Sequence, residues 1–166
     1  TVPPAVCDDQ TPCPGNGPND AFFGVVGQVC DFDLGAEGEG ICLERGMCRN
    51  PMPFQIGDLV EGSNLGRENV YLAGCGDRGG GAEVVYTFEA PADGDACFTV
   101  VDAEYDVVLY LKGVCSENPG AGGGWNLACA DVAGEEPVGG VNEKFEYALR
   151  GNETYYLVID ANDPAD

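Results

Sequence analysis

EVVYTFEAPADGDACFTVVDAEYDVVLYLKGVC, residues 83–115, decides the fold. It holds three segments in which apolar residues alternate. In the first, Val84, Tyr86 and Phe88 share one face while Val85, Thr87 and Glu89 share the other. In the second, Phe98 and Val100 alternate with Cys97, Thr99 and Val101. The third sets Val107, Leu109 and Leu111 against Val108, Tyr110 and Lys112. A period of two, rich in β-branched and aromatic residues and broken by Pro and Gly, is the mark of half-buried strands.

Outward from this stretch the same signals recur. Residues 53–62 read as a strand entering a sandwich, and Asn69-Val70-Tyr71-Leu72 as a short edge strand. Trp125 to Cys129 resumes a strand after a Gly-rich loop, followed by strands over 144–149 and 154–159. Arg150-Gly151-Asn152-Glu153 fits a tight hairpin turn between those two. With 26 Gly and 11 Pro the chain is rich in turns, and no amphipathic helix is legible. Many short strands with Gly-rich turns predict an all-β protein, an antiparallel, jelly-roll-like β-sandwich. No run approaches the roughly 20 apolar residues that span a bilayer.

Residues 1–47 differ from the rest. Four of the nine cysteines lie there and a fifth, Cys48, follows at once, yet apolar runs are short. A piece this small needs covalent staples, so it reads as a loop-dominated, disulfide-stapled segment preceding a sandwich over 48–166. No C-x2-C pair and no His are present, which disfavours structural zinc. Disulfides place the chain in an oxidising compartment, outside the cytoplasm. An odd count of cysteines leaves one thiol free or bonded to another chain.

The net charge is −22, from 29 acidic and 7 basic residues. Such a surface repels nucleic acid and anionic lipid and attracts cations. With no His, Ser–His and Cys–His nucleophile systems are excluded, and neither Ser63 nor Ser116 sits in a G-x-S-x-G elbow. The expectation is a protein that is not an enzyme. Calcium, a hard cation that takes oxygen ligands, is the cofactor the charge points to. Asp102, Glu104 and Asp106 alternate before the 107–111 strand, and Asp131 follows Cys129. Asp160, Asn162 and Asp163 form a second oxygen-rich run. The acidic loop 31–40, with carboxylates between glycines, is a further candidate; the alternative for all of these is turn capping or a solvated surface. Tyr110 and Trp125 are the candidate pair for stacking on a sugar, the alternative being that they cover a sheet face.

Ordered motifs in residues 48–160 resemble a known family. EVVYTFEAPADG at 83–94, EYDVVLYL at 104–111, Cys115 followed by LACAD at 127–131, and LRGNETYYLVID at 149–160 are similar to the bacterial pre-peptidase C-terminal (PPC) domain family. The resemblance covers about two thirds of the chain and leaves residues 1–47 outside it. It implies a secreted or cell-surface β-sandwich, of bacterial origin, that accompanies enzymes or recurs in surface proteins and can grip collagen or polysaccharide. It also implies a further strand after Asp160, where this sequence stops at Asp166; a neighbouring repeat supplying that strand is one expectation. With the family-like layout, Cys115–Cys129 is the firmest disulfide, which would bring Asp106 and Asp131 to one end. Cys7–Cys13 and Cys30–Cys42 are local closures, and Cys75 has Cys48 or Cys97 as candidates. The expected function is a calcium-stabilised structural or assembly unit that associates with itself or with neighbouring repeats. Its rival is a monomeric module binding extracellular glycan or matrix.

Overall fold

The computed structural model describes residues 6–7, 29–31, 40–43, 45–64, 67, 69–71, 73–75, 81–103, 105–116, 126–131 and 141–162. The chain divides into two compact units, Thr1–Asn50 and Pro51–Asp166. Every described element is a β-strand. In the first unit β1 (Val6–Cys7), β2 (Val29–Asp31) and β3 (Gly40–Leu43) form a small antiparallel sheet of order β1-β3-β2.

The second unit is a β-sandwich of a five-stranded and a two-stranded sheet. β4 (Met52–Pro53), β5 (Glu83–Glu89), β10 (Thr154–Ala161), β7 (Val107–Lys112) and β8 (Ala128–Ala130) make the first, in the order β4-β5-β10-β7-β8. β6 (Gly94–Val101) and β9 (Val141–Leu149) make the second. All pairings are antiparallel except β4 with β5, which is parallel.

Alternation along the strands builds the core between the sheets. Val84, Tyr86 and Phe88 of β5, Leu109 and Leu111 of β7, and Tyr155 and Leu157 of β10 face Ala96 and Phe98 of β6 and Leu149 of β9. Phe88 is the hub: its ring centroid lies 4.9 Å from Phe54, 5.5 Å from Phe98 and 5.5 Å from Tyr155. Its contacts cross from one sheet to the other, burying large rings whose transfer from water drives assembly.

Four sequence expectations change. Arg150–Glu153 is a turn, but not a hairpin: β9 pairs with β6, and β10 with β5 and β7, so the chain crosses between sheets there. That crossing is held by Asn152 N–H donating to Ala90 O at 2.7 Å and Gly151 N–H to Asp93 Oδ1 at 2.7 Å. Gly151 is required, because a Cβ would stand 2.8 Å from Ala92 Cα. The strand read over 53–62 shrinks to Met52–Pro53, and Gln55 to Ser63 is exposed. Of the edge strand read over 69–72, the described residues 69–71 form no strand; the N–H groups of Val70 and Tyr71 go to the Glu83 carboxylate instead of to a ladder. Finally, β7 is buried on both faces, where alternation alone implied a solvated side.

Candidate functional site

The second face of the five-stranded sheet carries the polar chemistry. Cross-strand register sets Glu83 opposite Asp160 and Asp160 opposite Val108. One row further in, Val85, Val158 and Tyr110 are aligned, and all three are fully buried. Beyond the Glu83 row, the Asn162 N–H donates to Asp106 O at 2.9 Å and Asn162 Nδ2 donates to Asp106 Oδ2 at 3.0 Å. Asp131 follows directly on Ala130, which pairs with Leu109. The strand ends thus bring Asp106, Asp131, Asp160 and Asn162 to one end of one sheet.

This face is covered by the segment that leads into β5. Asn64, 3% exposed, donates through Nδ2 to Ala82 O at 2.6 Å. Glu83 Oε1 accepts the N–H groups of Val70 and of Tyr71, the latter at 2.7 Å. Cys75 is bonded to Cys129, whose register partner on β7 is Tyr110, so the disulfide ties the cover to the edge of the sheet. Gly74 approaches Asn126 closely; a Cβ there would lie 2.7 Å from Asn126 Nδ2.

Burial governs the charges beneath. Glu83 and Asp160 have no solvent exposure. Desolvation pushes the Glu83 carboxyl up to about 7, against the pull of the Val70 and Tyr71 N–H groups and the Lys112 ammonium. Desolvation, with the charge of Glu83, pushes Asp160 up to about 8. Tyr110 is raised by burial and by its acidic neighbours. Lys112 is lowered by burial, with Glu83 acting the other way. Its ammonium stands 5.5 Å from the centroid of the Tyr110 ring. The Tyr110 hydroxyl faces Asp160 without a hydrogen bond of normal geometry.

Of the expected ligands, Asp106, Asp131, Asp160 and Asn162 lie at the same end of the five-stranded sheet, and Asn162 bonds Asp106. Asp102 stands apart and exposed, just past β6, with a φ of 54°. Glu104 and Asp163 lie outside the described residues, as does most of the 31–40 loop. No group of three or more His, Cys, Asp or Glu is gathered closely enough to hold a metal ion among the described residues. Glu83 was missed by the sequence reading. A carboxylate at the first position of a strand carries no local signal that it is buried; the structure supplies it.

The disulfide expectations need one correction. Cys115 and Cys129 are both disulfide-bonded, but Cys129 is bonded to Cys75 and not to Cys115. The antiparallel register carries Cys129 back along β7 to Tyr110, away from the bend that holds Cys115. Cys75 accordingly pairs with neither Cys48 nor Cys97; Cys48 is disulfide-bonded and Cys97 is a free, exposed thiol. Cys30 and Cys42 stand opposite each other in the β2–β3 register. Cys7 lies in β1, and Cys13 is outside the described residues.

The fold and its bonds define an all-β, disulfide-linked protein, and no described helix is long and apolar enough to cross a membrane. No protein-family model, curated protein or solved structure matches the chain. The similarity to the PPC domain family therefore rests on the motifs quoted above.

Proposed function

We propose that the protein is an extracellular structural module, a calcium-stabilised β-sandwich that serves as a unit of assembly in a secreted or surface protein. The observation that carries this reading is the placement of Asp106, Asp131, Asp160 and Asn162 at one end of the five-stranded sheet. Acidic side chains placed at one end of a sheet attract cations, and calcium takes oxygen ligands. For assembly, the support is the two-stranded sheet: β6 and β9 pair with each other and with no other described strand. Open edges of this kind accept a strand from another chain. The exposed Cys97 thiol lies on β6, beside such an edge.

The rival reading as a glycan-binding module has less support. Tyr110, half of its stacking platform, is fully buried, and Trp125 lies outside the described residues.

Thermal unfolding and sedimentation of the oxidised chain, with calcium and with chelator, test the proposal. A ligand bound only to the folded state raises its stability by mass action, so the midpoint should rise by about 5 °C or more at saturating calcium. Larger particles in calcium complete the expected result. A rise without association removes the assembly role, and no rise removes calcium.

A further inference from the structure

Two carboxylates held together away from water need positive charge beside them, because burial removes the solvent that screens them. Glu83 and Asp160 are direct partners in the β5–β10 register, and neither is exposed. Lys112 answers one of the two charges. Without further positive charge the pair takes up protons, as the raised Glu83 and Asp160 carboxyls show; a cation between them would let both ionise.

The oxygen atoms show the same imbalance. Glu83 Oε2, both carboxyl oxygens of Asp160, Asn162 Oδ1 and Tyr110 Oη are buried without a hydrogen-bond partner. Buried polar atoms ordinarily gather donors; hard oxygens left without donors are what a hard cation gathers. Glu83 is also held in place. The Val70 and Tyr71 N–H groups engage Oε1, which fixes the carboxylate and leaves Oε2 for another partner. Such support of a ligand by neighbouring donors is what tunes a metal site.

We propose that Glu83 and Asp160, with the Tyr110 hydroxyl and the Asn162 amide oxygen, form a buried binding site for calcium beneath Asn64, Val70, Tyr71 and Cys75. The inference rests on the calcium reading above and deepens it. It places the ion inward of Asp106, on a carboxylate, that of Glu83, which belongs to neither acidic run of the sequence.

The test uses the whole oxidised chain with calcium, and with terbium as a luminescent substitute excited through nearby tyrosine. Glu83→Gln keeps the oxygen that accepts from Val70 and Tyr71 while removing the charge. It should weaken calcium binding by at least about tenfold, the scale of losing a metal-site group. Asp106→Asn should weaken it less. Tyr110→Phe, which removes one oxygen and the adjacent sensitiser, should lower both terbium emission and calcium affinity. If Glu83→Gln and Tyr110→Phe bind calcium as the wild type does while Asp106→Asn does not, the ion sits in the outer set; the inference falls and the calcium reading stands. If wild-type protein shows neither a calcium-dependent midpoint nor terbium emission, the calcium reading itself falls. Should Glu83→Gln fail to fold, unchanged emission and affinity in Tyr110→Phe overturn the site.

Discussion

The two faces of the five-stranded sheet are sealed by different means. One meets β6 and β9 through Phe88, Phe98, Leu109, Leu111 and Tyr155, an apolar contact that needs no bond or ion. The other buries Glu83, Asp160, Tyr110 and Lys112 as well, under a segment with no strand of its own between Phe54 and Ala82 among the described residues. The contrast teaches that burial and hydrophobicity are separable here. The first face is stabilised by removing carbon from water. The second is stabilised by a disulfide, by a few hydrogen bonds and by whatever charge balances its acids. Only the second should respond to redox state, pH and cations.

The largest effect tests the apolar side. Phe88→Ala should destabilise the sandwich by about 3–5 kcal/mol, the usual cost of removing a buried phenyl ring, with little change between oxidised and reduced protein. Denaturant unfolding in both redox states measures this. A cost below about 1 kcal/mol would mean that the two faces are not distinct in kind.

Opening the cover comes next. Replacing Cys75 and Cys129 together with Ser should cost about 2–4 kcal/mol, the typical worth of a native disulfide. It should also bring the Tyr110 phenol into reach of solvent, read as a lower alkaline transition in the ultraviolet spectrum. Lost stability with Tyr110 still silent would show that the hydrogen bonds of Asn64 and Glu83 hold the cover alone.

The third is the response to pH, measured in chelator. Glu83 lies at about 7 in the folded state against an ordinary 4.5, and Asp160 at about 8 against 3.8. The folded protein therefore binds more protons than the unfolded chain between those limits, and stability must fall as pH rises. The contribution is complete below about pH 4 and is lost as pH rises through 7 to 8. Glu83→Gln should flatten much of that slope. A urea midpoint constant from pH 4 to 8 would show that the two acids are not neutralised on folding.

The strands of residues 83–112 were legible because alternation is local: each residue's neighbours in sequence declare which face it occupies. Val84, Tyr86 and Phe88, which alternation put on one face, do share one, and with Leu109 and Leu111 they face the core between the sheets. Asp106, Asp131, Asp160 and Asn162 were legible as oxygen-rich positions near strand ends. Glu83 was not, because a carboxylate at the first position of a strand looks like an ordinary solvated end until a cover is laid across it.

Sequence by itself determined the strand periods, the acidity and the need for covalent staples, since each follows from residue type and spacing along the chain. Tertiary structure decided which strands pair, that residues 150–153 cross between sheets, that Cys75 meets Cys129, and that Glu83 meets Asp160. The last two join positions 54 and 77 residues apart. They depend on which edges and faces come together in the folded chain, and no local period records that.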